Sequence, residues 1–220
     1  MSEFKLYSYF RSSTSYRTRI AFNLKEAPYE FVGIHLVNNG GEQHSAAYKR
    51  LNPASEVPTL IHGPHVIAQS MAIIEYLDEV MPYPKLFSGD AVQRAKIRQF
   101  CETINCTHPY HNLKTTKYLE EKLSVPQSER DVWIQHWISN CLKTLESLLP
   151  AQKTTFCFTE EPSAADCFLI PQLFSAQRFG VKLEAYPRLV QIEKACLALD
   201  AFQRAHPYRQ PDTPEDLRLK

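Results

Sequence analysis

A chain of 220 residues, 44% hydrophobic and 11% aromatic, can enclose a substantial core as one large domain or two smaller ones. A net charge of +1, with no run of like charges and no apolar run near membrane-span length, argues against nucleic-acid or membrane partners. The opening Met-Ser-Glu-Phe-Lys-Leu has no secretory pattern, and the six cysteines (Cys101, Cys106, Cys141, Cys157, Cys167 and Cys196) form no CxxC pair. Buried, reduced thiols in a cytoplasmic setting are therefore expected.

The first eighty residues alternate strand and helix signals. Lys5–Phe10 reads as an aromatic strand, and the Ser12–Ser15 cluster can cap a helix whose face is Tyr16, Ile20 and Leu24. Tyr29–His35 reads as a second strand. Gly40-Gly41 breaks the chain before a short polar helix ending near Leu51. Thr59–Ile61 and His65–Ile67 form a hairpin turning at Gly63-Pro64, and a helix from Ser70 to Glu79 buries Ile73, Ile74, Leu77 and Val80. The order β-α-β-α-β-β-α predicts a small mixed sheet flanked by helices.

Pro82, Pro84 and Ser88-Gly89-Asp90 read as a linker, which divides the chain into residues 1–83 and 84–220. Beyond it the signals are helical. Val132, Trp133, His136, Trp137, Cys141, Leu145, Leu148 and Leu149 form an apolar stripe with a period near 3.6. Ser163-Ala164-Ala165-Asp166 reads as a capping box for a buried helix kinked at Pro171. Pro207 and the polar run 210–220 read as a peripheral, mobile segment.

Three places invite chemistry, and each also has a plain structural reading. The hydroxyls of Ser12, Ser13 and Thr14 stand where a helix begins, so they can cap it or stabilise an anion such as a thiolate. Val57-Pro58 enters a strand; a cis bond there would expose the Val57 backbone to an extended peptide ligand. Ser70, read as an N-cap, and Gln69 can hold a carboxylate or simply start a helix. The HxxH spacings at His108/His111 and His62/His65 lack a third partner and adjoin prolines, so no metal is expected.

The stretches LYSYFRSSTSYRTRIAFNLK, GEQHSAAYKRLNP, EVPTL, QSMAIIEYLDE, HPYHNLKTTKYL, SAADCFLIPQLFSAQRFGV and FQRAHPYRQPDTP span nearly the whole chain. In that order they resemble the zeta class of glutathione transferases. The resemblance implies an α/β, thioredoxin-like glutathione domain followed by an all-α helical bundle domain, usually in a homodimer. It implies glutathione as cofactor and cis–trans isomerisation of an anionic diketo acid, maleylacetoacetate or maleylpyruvate, as the reaction. Much of the family carries Cys in a Ser-Ser-Cys signature where this chain has Thr14, so a protein thiol is not implied.

Residue by residue, the resemblance implies that Ser12 stabilises the glutathione thiolate, with Ser13 and Thr14 as nearby alternatives. Val57 would pair with the tripeptide backbone, Gln69 and Ser70 would hold its γ-glutamyl carboxylate, and Gln43 or His44 would reach its glycyl carboxylate. Arg178 matches the arginine that binds a substrate carboxylate; otherwise it reads as a solvated helix-end charge. His108 and Asn112 match substrate-contacting positions, His111 stands where Asn or Gln is common, and Arg11 is a further candidate for the acid groups. A conjugating transferase or dehalogenase shares the same first domain, and a non-catalytic binding module would share the fold alone.

Overall fold

The computed structural model describes residues 3–219. Contacts divide the chain into two compact units, Met1–Leu86 with Leu197–Lys220, and Phe87–Cys196. This differs from a division at residue 83 in placing the closing segment with the first unit.

The first unit is built on a four-stranded sheet of order β2-β1-β3-β4, from β1 (Phe4–Ser8), β2 (Tyr29–Gly33), β3 (Thr59–His62) and β4 (His65–Ala68). β1 and β2 run parallel, with Leu6 opposite Phe31, whereas β3 runs antiparallel to both β1 and β4. A parallel pair needs a crossover, which α1 (Ser13–Leu24) supplies. Two short 3₁₀ turns and α2 (Ala46–Leu51) lead to β3, and α3 (Ser70–Val80) follows β4, giving the expected β-α-β-α-β-β-α order of a thioredoxin-like layout.

β1 is shorter than the aromatic run suggests. It ends at Ser8, while Tyr9 and Phe10 continue as buried residues in the turn before α1. β2 likewise ends at Gly33 rather than His35. α1 differs more, because Ser15 to Phe22 are buried all round, not along the single face of Tyr16, Ile20 and Leu24. The helix packs against α3 and against α9 (Asp200–Ala205), so even Arg17 and Arg19 lie within the unit. On α3, Ile73, Ile74 and Leu77 are buried, but Val80, in the last turn, is exposed.

The segment read as a peripheral tail is packed in its first part: Pro207, Gln210 and Thr213 are buried, and the Thr213 hydroxyl donates to Pro207 O at 2.7 Å, whereas residues 214–219 are exposed. Asn23 Nδ2 donates to Ala201 O at 2.8 Å, tying α9 to α1. Lys25 fixes the far end of the unit: its buried ammonium donates to Asp78 Oδ1 at 2.5 Å, to Met81 O at 2.7 Å and to Pro84 O. Asp78 also accepts the Leu86 N–H at 2.7 Å. A buried cation satisfied by a carboxylate and two carbonyls holds the chain as it leaves α3.

The second unit is helical: α4 (Ala91–His111), α5 (Leu113–Glu121), α6 (Gln127–Leu148), α7 (Ala164–Arg178) and most of α8 (Pro187–Leu197). Asp90, expected in a linker, caps α4 by accepting the Gln93 N–H at 2.8 Å. Pro109 does not stop α4, which continues to His111. The buried stripe of α6 is Ile134, Ile138, Cys141, Leu142 and Leu145; Val132 and Trp133 are exposed. The phase differs because the two tryptophans serve a flanking cluster: Trp133 Nε1 donates to Tyr110 O at 2.6 Å, and Trp137 stacks on Tyr110 at 4.2 Å.

The capping box before α7 is present, and the helix continues as one element through Pro171. Asp166 Oδ2 accepts the Ser163 N–H and hydroxyl, both at 2.8 Å, while Oδ1 accepts the Cys157 N–H at 2.9 Å. Burial raises the Asp166 pKa against these hydrogen bonds. All six cysteines are unbridged and five are buried, Cys106 being exposed. Burial, with the Asp166 carboxylate beside them, pushes the Cys157 and Cys196 thiols well up, so neither is a thiolate at neutral pH. Asp166→Ala would strand the buried Ser163 and Cys157 donors and uncap α7, so urea unfolding should show a loss of about 3 kcal/mol. A loss under about 1 kcal/mol would mean the box does not hold the helix.

Candidate active site

Where β1 ends and α1 has not begun, the backbone has left the sheet ladder and needs other partners. Ser12 N–H donates to Tyr9 O at 3.1 Å, closing a turn with Phe10 and Arg11 at its corner. The fully buried Arg19 holds that turn from below: Nη1 donates to Tyr9 O at 3.3 Å and Nη2 to Phe10 O at 3.0 Å. The same guanidinium donates to Ser8 Oγ at 3.2 Å and to Ala205 O at 3.1 Å. Burial lowers its pKa to about 10, which leaves it a cation at neutral pH.

The turn delivers Ser12 to the N-cap of α1, where its Oγ accepts the Ser15 N–H at 3.2 Å. Ser12 Oγ also lies 2.9 Å from Thr14 Oγ1. Thr14 donates its single proton to Val57 O at 2.8 Å, so Ser12 is the donor in the Ser12–Thr14 bond. The Ser12 hydroxyl thus accepts from a helix amide and donates to Thr14 Oγ1, which polarises its O–H. Ser13 is the first residue of α1, and Arg11 is exposed, its guanidinium carbon 5.7 Å from the centre of the Phe10 ring.

Val57 faces this turn across the Val57–Pro58 bond, which is cis. Its carbonyl, expected to be exposed, is taken by Thr14. The loop is braced from the other side: Tyr48 OH and Asn52 Nδ2 donate to Glu56 O at 2.7 and 2.8 Å. Burial pushes the Tyr48 phenol up to about 12, so it stays a donor. Tyr9, Phe10, Tyr48 and Val57 form one apolar cluster, so turn and loop share a floor.

At α3, the N-cap is Gln69 rather than Ser70. Gln69 has φ 74°, a region rarely adopted by a residue with a side chain; such strain tends to mark functional sites. Ser70, the first helical residue, is buried and accepts from Arg17 Nη1 at 3.3 Å. A buried guanidinium next to a helix N-terminus makes the potential there positive, as an anionic group requires. Gln43 is buried, donates to Leu36 O at 3.3 Å, and lies 3.2 Å from the ring of exposed His44. Its Oε1 is buried without a hydrogen-bond partner among the described residues.

Ser12, Thr14 and Val57 are therefore brought into direct contact, with Ser70 linked to the same helix through Arg17. The remaining expected residues belong to the second unit. Arg178 ends α7, exposed, its guanidinium carbon 4.5 Å from the Phe179 ring centre. His108 and His111 occupy the last turn of α4, their rings 5.4 Å apart and perpendicular, with His111 buried. Asn112 joins α4 to α5 and caps the latter, its Oδ1 accepting the Thr115 N–H at 2.9 Å. Among the described residues no cluster of three or more His, Cys, Asp or Glu could hold a metal ion.

Reading the sequence missed Arg17, Arg19 and Asp212, whose Oδ2 accepts the Phe10 N–H at 2.9 Å. The signal for the arginines was a short helix between two strands with a charge on each side of its apolar face. Such a helix is enclosed on more than one side.

Comparison with known proteins agrees with this layout. Models of the glutathione S-transferase N-terminal and C-terminal domains match residues 2–79 and 131–192. A maleylacetoacetate isomerase of Pseudomonas aeruginosa is 42% identical over 96% of this chain and 99% of its own length. The holo structure of a maleylpyruvate isomerase, a bacterial zeta-class glutathione S-transferase, superposes with a TM-score of 0.92 at 40% identity, over 96% of this chain and all of that one. A maleylacetoacetate isomerase of Methylobacterium extorquens, solved with bound malonate and GSH, superposes at 0.91 with 34% identity, over 96% of this chain and 99% of that one. With this likeness over nearly its whole length, the chain belongs to the zeta class of the glutathione S-transferase family.

Proposed function

We propose that this chain is a glutathione-dependent cis–trans isomerase that converts maleylacetoacetate to fumarylacetoacetate in the breakdown of tyrosine and phenylalanine. It would act in the cytoplasm as a homodimer. The observation that carries this reading is the polarised Ser12 hydroxyl at the start of α1, bonded through Thr14 to Val57.

These residues fit glutathione. The tripeptide has a thiol and two carboxylates. The first unit offers a polarised hydroxyl at one helix start, a positive helix start at Gln69 and Ser70, and the paired side chains Gln43 and His44. When bound, glutathione supplies a thiolate whose reversible addition to the cis double bond leaves a single bond free to rotate.

The protein's tasks are then electrostatic. Keeping a thiol ionised near pH 7, two units below its usual pKa, requires about 2.7 kcal/mol of preferential stabilisation of the anion. A hydroxyl hydrogen bond to a charged group is worth about 1.5–3 kcal/mol, and a helix N-terminus about 0.3–1. Ser12 with the α1 amides meets that demand, and Ser13 lies next to it as an alternative. Ser12 turns its proton from Thr14 toward sulfur, while Thr14 stays bonded to Val57 and keeps the turn in register. The Val57 backbone would pair with the tripeptide. Arg178, Arg11, His108 and Asn112 would hold the substrate's carboxylates and the negative charge that develops on its carbonyl oxygen. His111, its ring 5.4 Å from that of His108, would join them at the substrate.

Likeness to the maleylpyruvate isomerase structure favours a second reading, with maleylpyruvate as substrate. An absorbance assay of both diketo acids, with and without glutathione, separates the two. A stable glutathione adduct without isomerised product would instead indicate a transferase or dehalogenase. Ser12→Ala should raise the pKa of bound glutathione by roughly one to two units, seen in thiolate absorbance, and lower turnover at neutral pH. An unshifted thiol with normal turnover in that variant would reject the role of Ser12. Arg178→Ala should raise KM for the diacid substrate about tenfold or more, with a much smaller effect on an uncharged electrophile. Equal losses on both substrates would contradict carboxylate binding.

A further inference from the structure

The N–H of Phe10 lies at the corner of the Ser12 turn, beyond the sheet ladder, and Arg19 has no acceptor to offer it. β1 has ended at Ser8, where Ile34 N–H donates to Ser8 O, so the β1–β2 ladder goes no further. Arg19 can only donate, and it serves the carbonyls of Tyr9 and Phe10. Phe10 itself is only 2% exposed, which excludes water as the ready acceptor. The acceptor is Asp212 Oδ2 at 2.9 Å, 202 residues further along the chain.

Asp212 is held in place by its own segment. Gln210 is buried, with Nε2 donating to Arg204 O at 2.8 Å and to His206 O at 2.9 Å. Thr213 N–H donates to Gln210 O at 3.1 Å, closing a turn with Asp212 inside it. The other carboxylate oxygen, Oδ1, is buried with no hydrogen-bond partner among the described residues. Burial raises the pKa of this carboxyl, with Arg19 and His35 opposing the rise. A half-buried carboxylate with one enclosed oxygen left without a partner is a costly way to fill space, so its presence calls for a specific task.

We propose that Asp212 is a positioning residue for Ser12. By accepting the Phe10 N–H it fixes the corner of the Tyr9–Ser12 turn, and with it the place from which the Ser12 hydroxyl meets the sulfur of bound glutathione. The closing segment of the chain is thus a part of the thiol site without touching the ligand. This rests on the glutathione reading above. The same corner is gripped by Arg19 through its carbonyls and by Asp212 through its amide, one group a cation and the other an anion. Neither can replace the other.

The test compares Asp212→Ala, which removes the acceptor, with Asp212→Asn, which keeps an acceptor oxygen and removes the charge. Thr213→Val serves as a control that loosens the same segment by losing the bond to Pro207 O. In Asp212→Ala the pKa of bound glutathione should rise by roughly half a unit to one unit, with kcat at pH 7 falling about three- to tenfold and KM for glutathione changing less than about twofold. Asp212→Asn should restore the wild-type thiol pKa, and Thr213→Val should leave it unchanged while lowering the melting temperature. In the wild-type protein without ligand, the Phe10 amide should exchange with deuterium as slowly as the middle of α1. That measurement stands even if the alanine variant does not fold. Fast exchange at Phe10, or an Asp212→Ala thiol pKa equal to wild type, overturns the proposal, as do equal shifts in Asp212→Ala and Thr213→Val. If the wild-type protein binds glutathione without lowering its thiol pKa, the functional reading itself fails. A lowered wild-type pKa that survives Asp212→Ala removes only Asp212.

Discussion

The buried guanidinium of Arg19 is the constraint around which the first unit is arranged. It donates to Ser8 Oγ, to the carbonyls of Tyr9 and Phe10, and to Ala205 O, so strand end, turn and closing segment meet on one side chain. Only arginine offers several donors in a fixed planar fork, and only a strand that stops two residues early offers carbonyls for them. If β1 ran to Phe10, as its aromatic sequence suggests, those carbonyls would enter the ladder and the buried cation would lose two of its four acceptors. The early end of the strand and the burial of Arg19 are therefore one fact.

From that constraint the rest of the first unit follows. A helix that carries two buried arginines needs walls on several sides, and α3 and α9 provide them beside the sheet's crossover. Arg17 reaches Ser70 at the start of α3, so the turn that opens α1 and the start of α3 both answer to side chains of α1. Lys25, one residue past α1, does the same for the far end of α3 through Asp78 and two carbonyls. Three basic residues on or just beyond one helix set the termini of its neighbours. The apolar contacts supply most of the stability, and these polar contacts fix direction and register.

How much of this was legible in the sequence depends on range. Local signals were reliable: Ser12 as a cap, the Gly63-Pro64 hairpin, and the Ser163/Asp166 box each rest on residues within a few positions of one another. The buried phase of α6 was misread because Trp133 and Trp137 are large and apolar, yet their indoles pack on Tyr110 at the flank, leaving the smaller Ile134 and Ile138 to fill the core. Gln69, not Ser70, caps α3, because a positive φ at a non-glycine residue leaves no trace in a pattern of polar and apolar residues. Asp212 was out of reach for a different reason. Its partner lies 202 residues away, and a polar, proline-rich ending looks the same whether it is solvated or folded back.

The chain also shows why a hydroxyl can stand where much of the class carries a thiol. Among its own cysteines, Cys157 and Cys196 are buried beside a carboxylate and held protonated, so neither can act as a nucleophile. A thiol at position 14 would be a weak donor and could hold the Val57 carbonyl only loosely, whereas the Thr14 hydroxyl makes a 2.8 Å bond to it. Because that bond uses the only proton of Thr14, Thr14 Oγ1 meets Ser12 only as a neutral acceptor, and the Ser12 proton can turn from it to a better one. A thiolate is such an acceptor, since hydrogen bonds to ionised groups are roughly twice as strong as those between neutral ones. On the proposed reading, Thr14 makes the protein's own chemistry simpler: one hydroxyl holds the loop, the other meets the sulfur, and the nucleophile is brought by the ligand.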